Sequence, residues 1–548
     1  MKISVVVVVL SLLVVCWAGS TITTDVVIIG GGIGGLSAGA ILSSTYGLKV
    51  HLAESHYRLG GCAHSFPITG KMSGTEYTFD AGPTIIAGAS TKPSNPLQQV
   101  ITQVGAASQI EWLPYQKWGM RDEHGAWDFE LGENVFDGRG GPLERFGGKN
   151  ALQEFASLRA ACEPLCAGAS EIPTMALRDG RFELLPLLPH FSALRKVAPY
   201  TSTLDGNFGG MMRKHVTDPW LTSWLNALAF SLSGLPAGET SAAAMAYTLF
   251  DLHRKGSALD YPKGGMGRIA DVLADVIKSS GSVVQSSSLV KDIIVERGSA
   301  VGVGLRDGTS IRSKKGVICN ANIWALPGLL KHAKHELSSE MLEFLKESST
   351  RKKTKSFLHL HLGLDASGLH LSKMNAHFTV MDKGLHCADP CADRNMVAVS
   401  NPCVLDDSLT NRENRIIIHA YGAGNEPYEP WTRLSRDEYR AKKQSDASFL
   451  WRSVSRALDV DEDELRRRTE VEMIGTPLTH ERFLRRSQGT YGPTFRDTVA
   501  GTLTPLPGLL LAGDSTFPGI GVPAVAVAGA KAANTIVSPI TQLLMRLR

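Results

Sequence analysis

Three glycines, Gly30, Gly32 and Gly35, stand at the spacing G-x-G-x-x-G near the start of the chain. An apolar run at 25–29 precedes them and suits a buried strand; the small and aliphatic residues at 36–46 suit a helix packed on a sheet. Gly30 permits the tight turn between the two. Gly32 lets backbone approach a pyrophosphate, and Gly35 lets the helix lie close to the strand with its N-terminus facing the negative charge. A second strand at 49–53 ends at Glu54, where a carboxylate accepts hydrogen bonds from ribose hydroxyls. A glycine motif alone signals only a turn. With strand, helix, second strand and acidic end in order, it signals dinucleotide binding.

A second such stretch lies near the other end. A buried-strand run at 509–512 leads into Gly513-Asp514, a glycine-rich turn at 515–523 and a helix of small residues at 524–536. This is another helix N-terminus turned toward a ligand. Asp514 can accept hydrogen bonds from a polyol, and Gly521 and Val522 can offer backbone N–H groups. No Ser/His/Asp set and no paired-carboxylate motif competes with these two turns. The eight cysteines include Cys387, Cys391 and Cys403 after His386, but their spacing matches no standard zinc site. Ordinary thiols with at most one local bridge are expected, and no metal. His359 and His361 alternate along a run at 355–365, which reads as the polar face of a half-buried strand.

The elements that must position these turns follow in order. Short strands are expected around Trp112 and Trp127, and helices over 151–166, 220–233 and 240–253. Between the helices, 182–191 is apolar, broken by prolines and followed by Arg195 and Lys196. It reads either as a membrane-surface segment or as a buried connector. A glycine-rich loop at 261–267 enters a helix over 268–279 and lacks the Lys-Ser/Thr ending of a triphosphate loop. Strands at 282–285 and 289–295 follow, then a hairpin turning at Asp307-Gly308 and a further strand at 315–320. One long charged helix is expected over 435–457, and a shorter one over 461–468.

The 548 residues, 43% hydrophobic and 20% charged with net charge +4, are enough for two or three domains and argue against a nucleic-acid partner. Lys2 and the apolar run at 3–17 form a secretory-type leader over 1–18, with an uncleaved anchor as the alternative.

The fingerprint through Gly60-Gly61, the segment 261–324 and the segment 491–534 resemble the FAD-dependent phytoene desaturase and amine oxidase superfamily. They are most similar to its carotenoid isomerase branch, including YPKGGMG at 261–267, TYGP at 490–493 and GDSTFPGIGVPAVAVAG at 513–529. Amine oxidases usually carry Arg after the Gly-Gly pair, whereas this chain has Cys62. The resemblance implies an α/β fold: a Rossmann-type FAD-binding domain with an interleaved α+β substrate-binding domain and a helical subdomain. The FAD-binding parts would be 24–95, 261–345 and 495–540, and the substrate parts 96–260 and 346–494. It implies FAD, active when reduced, held at its pyrophosphate by Gly30, Gly32 and Gly35, with Gly61 also cofactor-binding. Glu54 would hold the adenosine ribose, Val290 the adenine through backbone, and Gly513 and Asp514 the ribityl chain or pyrophosphate. Gly521 and Val522 would lie by the flavin ring. Phe517, Ile520 and Pro523 would present a greasy surface to substrate.

No catalytic side chain is implied, since flavin supplies the hard chemistry. The expected activity is redox-neutral cis/trans isomerisation of a hydrophobic polyene in carotenoid biosynthesis. Alternatives are a hydratase acting on a carotenoid or xanthophyll, a desaturase, a retinol-type saturase, and a non-catalytic FAD-stabilised carotenoid or lipid binder. Peripheral membrane association in a plastid is expected, with an endomembrane location as the alternative.

Overall fold

The computed structural model describes residues 21–546 apart from 83, 201–205, 386–391, 393 and 423–425. The leader at 1–18 and the pair Cys387 and Cys391 lie outside the described residues. The other described cysteines, Cys62, Cys162, Cys166, Cys319 and Cys403, are free thiols.

The strand Thr21–Ile29 sits at the centre of a seven-stranded sheet. The order across it is Val283–Gln285, Val50–Ala53, Thr21–Ile29, Ser310–Cys319, Ser299–Leu305 and Val290–Glu296, with Leu509–Leu511 also pairing on Ser310–Cys319. The pairs around Thr21–Ile29, and those made by Val283–Gln285 and Leu509–Leu511, are parallel. The strands 290–319 form an antiparallel meander on the flank. Alternate residues of the central strand feed two cores. Val26 and Ile28 join the layer of helices Ile33–Ala40, Gly267–Ser279 and Val522–Ile536. Val27 and Ile29 join the layer that includes Leu326 and Met341. Burial on both faces explains the unbroken apolar run. This is the expected α/β architecture.

A second seven-stranded sheet runs in the order Thr469–Gly475, His359–Asp365, Arg415–Gly422, Met396–Ser400, His377–Met381, Lys117–Asp122 and Gly125–Glu130. Helix Ser448–Leu458 covers one face through Phe449, Leu450, Trp451 and Val454, against Leu360, Leu362 and Ile418. The helices Ala151–Glu171, Pro219–Ser233 and Ala242–Leu252 enclose an aromatic core with the hairpin that carries Trp118 and Phe129.

Several expectations change in detail. The fingerprint helix begins at Ile33 rather than at 36, and ends in a π-helical turn, Ile41–Thr45. The pieces at 310–312 and 315–320 are one strand, Ser310–Cys319, whose first half completes the hairpin and whose second half receives Leu509–Leu511. The long charged helix is two, Arg436–Asp446 and Ser448–Leu458, joined at Ala447. The first buries nothing and the second buries seven residues, so the chain redirects where solvent helix becomes core helix. His359–Asp365 is not half-buried: both faces are covered, and its histidine face lies against the hairpin Ser65–Thr69 and Glu76–Asp80.

Candidate flavin site

The first glycine turn is lined by backbone because side chains do not fit. A Cβ on Gly35 would lie 2.2 Å from the Gly30 carbonyl oxygen, and one on Gly34 2.7 Å from Asn320 Oδ1. Gly30 has φ +95°, a left-handed backbone that favours glycine. The Gly31 N–H donates to Glu54 Oε2 at 2.7 Å, and the His56 N–H donates to Glu54 Oε1 at 2.6 Å. The Glu54 carboxylate is therefore fixed at the mouth of the turn. Gly60 and Gly61 flank it: Gly60 N–H donates to the Gly31 carbonyl at 2.8 Å, and a Cβ on Gly61 would lie 3.3 Å from Gly32 Cα. Val290 opens its strand two residues after Ser288, whose N–H donates to the Glu54 carbonyl at 2.7 Å. The six expected residues of this end are thus held around one backbone cradle.

The second turn closes on the first. Gly513 (φ +85°) packs on Asn320, and a Cβ on Gly34 would lie 3.0 Å from Gly513 Cα. A Cβ on Gly529 would lie 2.2 Å from the Gly34 carbonyl, so the helices Ile33–Ala40 and Val522–Ile536 touch through backbone. Gly521 caps the second helix at φ +122°, with Val522 and Pro523 in its first turn. Phe517 meets Phe495 edge-on at 6.5 Å, and Ile520 faces Leu235, Thr240 and Pro493 across a cavity of about 40 Å³. A larger cavity, about 480 Å³, lies elsewhere: charged groups including Asp365, Arg415, Arg467 and Glu470 line it, and it contains none of the expected site residues.

Two backbone-lined helix N-termini, one with a carboxylate at its edge, fit a dinucleotide. The cradle has no room for side chains, and the first-turn N–H groups of each helix have no acceptor within the helix.

Between the turns lies a charged pair that the motifs did not indicate. Arg486 Nη2 donates to Asp514 Oδ2 at 2.6 Å and to the Tyr491 carbonyl at 2.5 Å, and Nε donates to the Thr490 carbonyl at 2.7 Å. Burial works against the Arg486 charge, but Asp514, with smaller contributions from Cys62 and Tyr491, offsets it, and the pKa of Arg486 is raised. Burial also pushes the Cys62 thiol up, with Arg486 opposing the rise and Asp514 adding to it, so Cys62 is a neutral thiol.

The wall beyond Cys62 is aromatic. Phe357 lies 5.9 Å from both Tyr421 and Tyr491, and 4.1 Å from His480. Burial raises the Tyr491 hydroxyl to about 12. Tyr421 donates to the Asp80 carbonyl at 3.1 Å and lies 3.3 Å from His361 Nε2. His359 and His361 stack at 4.5 Å, and His361 lies 4.9 Å from His419. Burial holds all of these imidazoles neutral, His359 near about 4 and His419 near about 3. Among the described residues no group of His, Cys, Asp and Glu is arranged to hold a metal ion. The sequence pointed to no aromatic cluster, because Phe357, Tyr421 and Tyr491 come from three separated segments. The only local signals were TYGP and the alternation at 355–365.

Comparison with known proteins agrees with this geometry. The flavin containing amine oxidoreductase family matches residues 33–537. A prolycopene isomerase, chloroplastic, of Arabidopsis thaliana is 32% identical over 533 residues, covering 94% of this chain and 83% of that protein. A second, from Daucus carota, is 31% identical over 536 residues, covering 93% and 80%. The crystal structure of an oxidoreductase from Methanosarcina mazei shares the fold at TM-score 0.62, with 17% identity, covering 92% of this chain and 98% of that one. The chain belongs to the flavin-containing amine oxidoreductase family, in its carotenoid-isomerase-like branch.

Proposed function

We propose that this enzyme binds FAD, works with the flavin reduced, and isomerises cis double bonds of a carotenoid polyene without net redox change. When bound, flavin supplies the hydrogen exchange that lets a double bond lose and recover its order. The chain's own groups do the rest. Gly30, Gly32, Gly35 and Gly61 would cradle the pyrophosphate, Glu54 would hold the ribose, and Val290 would contact adenine. Gly513 and Asp514 would hold the ribityl end, with Gly521 and Val522 at the ring. Residues 24–95, 261–345 and 495–540 would form the FAD half, and 96–260 with 346–494 the substrate half.

The observation that carries the reading is the neutral wall beside Cys62. Phe357, Tyr421 and Tyr491 present rings and un-ionised hydroxyls with the buried neutral imidazoles behind them, while Phe517, Ile520 and Pro523 add an apolar turn. A long hydrocarbon loses no solvation on entering such a wall, and among the described residues no carboxylate stands with these rings to pair with an amine. Tyr421 and Tyr491, both held protonated, are the groups with a hydroxyl on that wall and would orient the polyene by packing, with the Tyr421 hydroxyl already donating to the Asp80 carbonyl.

Membrane delivery of such a substrate is supported by a surface patch. Phe182, Leu184, Leu188 and Phe191 are 59–70% exposed. The amphipathic helix Pro539–Arg546 packs beside them and exposes Ile540 and Leu544. Arg181, Arg195 and Lys196 are also exposed next to this patch. The segment is a surface turn, not a buried connector. Among the described residues no helix is long and apolar enough to cross a membrane. In this reading the enzyme docks peripherally on a plastid membrane.

Anaerobic incubation with reduced FAD and candidate carotenoids in liposomes tests the proposal. A product of unchanged mass and altered absorption supports isomerisation. Gain of water, loss of two hydrogens or gain of two hydrogens would replace it with hydration, desaturation or saturation. A purified protein that takes up no flavin would remove its basis.

A further inference from the structure

Arg486 is a guanidinium buried between the two glycine turns, on a loop none of the motifs includes. Its side chain is 15% exposed and that of Asp514 18%. Three of its five N–H donors are well used, on Asp514, Tyr491 and Thr490. The two donors on Nη1 are not. Their one partner is Cys62 Sγ at 4.0 Å, a poor acceptor at the limit of contact. A charged donor on a side chain this far buried is costly to leave without an oxygen acceptor, so an acceptor is expected at Nη1.

The surroundings indicate which acceptor. Cys62 directly follows Gly61, whose Cβ position is 3.3 Å from Gly32 Cα in the first cradle. Asp514 directly follows Gly513 in the second. Gly492, the next residue but one from Thr490, would place a Cβ 3.3 Å from Arg486 Nη2 and 2.6 Å from Ile520 Cδ1. The guanidinium therefore touches the residue after Gly61 and the residue after Gly513, and borders the apolar turn. The loop is built to put it there: Arg485, Gln488 and Gly489 all have positive φ, and Thr490 is held to Thr354. A residue serving only to neutralise Asp514 would need neither the Nη1 donors nor this position against Cys62.

We infer that Arg486 is a cofactor-binding residue, whose Nη1 donors hold an anionic oxygen of the bound flavin dinucleotide, while its Nη2 fixes Asp514. This rests on the flavin reading above. The anionic oxygen can belong to the pyrophosphate or to the reduced ring, and both present the same chemistry to a guanidinium. Cys62, being small and neutral, leaves the space beside the Gly-Gly turn that the guanidinium occupies from outside the fingerprint.

The test compares wild type with Arg486→Lys and Arg486→Gln, using the full purified chain stripped of flavin. Oxidised FAD is titrated by fluorescence quenching, dithionite-reduced FAD anaerobically, and the midpoint potential is measured separately. Melting of each apo form shows that it is folded. Lys keeps the charge on Asp514, so the comparison survives if Gln does not fold. The inference expects at least tenfold weaker binding for Lys. Equal loss in both redox states identifies the pyrophosphate. A tenfold greater loss for reduced FAD, with a midpoint about 30 mV more negative, identifies the ring. Wild-type affinity and potential in the folded Lys variant would overturn the inference while leaving the flavin reading intact. Failure of the wild type itself to bind FAD would overturn both.

Discussion

Replacing His253 by phenylalanine is expected to flatten the acid sensitivity of this protein. His253 is fully buried, with ring centroids 5.9 Å from Phe129, 5.3 Å from Phe136 and 5.3 Å from Phe155. Neither ring nitrogen has a hydrogen-bond partner. Burial is the main force lowering its pKa to about 3; Arg159 adds to the drop and Asp137 opposes it. In the unfolded chain the imidazole titrates near its ordinary value of about 6.5. Between these values the unfolded state takes up a proton that the folded state refuses. The stability is present in full above pH 6.5 and drains away as pH falls toward 3. The slope is about 1.4 kcal/mol per pH unit, or about 5 kcal/mol across the window. That is comparable with a typical total stability of about 5–15 kcal/mol. Urea unfolding at several pH values, followed by the fluorescence of Trp127, Trp220 and Trp224 in the same core, reads the effect. His253→Phe should gain about 1–3 kcal/mol at neutral pH from removing two orphaned polar atoms. Its advantage should then widen by about 2 kcal/mol between pH 6 and pH 4.5. His377 and His419, both lowered to about 3 by burial, steepen both curves equally. Parallel stability curves for wild type and variant would refute the reasoning.

Other perturbations probe the site and the surface. Gly35→Ala places a Cβ within 2.2 Å of the Gly30 carbonyl and is expected to lower FAD affinity more than a hundredfold, read by fluorescence titration, with far-UV circular dichroism unchanged. Glu54→Gln replaces a carboxylate acceptor by a neutral one and should weaken FAD about tenfold, or about 1.4 kcal/mol; an unaltered affinity would take Glu54 out of the site. Phe182→Ser with Leu188→Ser removes two side chains that are 70% and 59% exposed. Sedimentation with anionic liposomes should drop severalfold while the melting temperature stays put.

Residues placed by local structure were legible in the sequence. Gly30, Gly35 and Glu54 sit within one strand–turn–helix–strand unit, so spacing alone placed them. Gly513-Asp514 likewise sits between its own strand and helix. Arg486 was not legible, because its partners at Cys62 and Asp514 are brought to it by tertiary folding, not by spacing. The same holds for Phe357, Tyr421 and Tyr491. His359 and His361 show a subtler failure. Period-two alternation reports two different faces, but not whether the polar-looking face is wet. Here Phe66 and Phe79 cover it, 6.0 Å and 5.6 Å from His361. The break at Ala447 was hidden because neither Gly nor Pro marks it; the change from the charged Arg436–Asp446 to the apolar-faced Ser448–Leu458 is its only trace.

The backbone contact between Gly34 and Gly529 ties the earliest part of the chain to nearly the last. The central strand also waits for Ser310–Cys319, its parallel neighbour. A ribosome adding roughly 5–20 residues per second needs about 25–100 s to deliver the intervening 500 or so residues. Through that interval the helix Ile33–Ala40 lacks the helix Val522–Ile536 that packs on it through backbone, and the second turn is not there to close on the first. Birth of this protein is therefore not vectorial. The packing around its first glycine turn is completed only when the helix Val522–Ile536 has been made, and truncation of that helix would uncover the face of Ile33–Ala40 rather than leave a smaller enzyme.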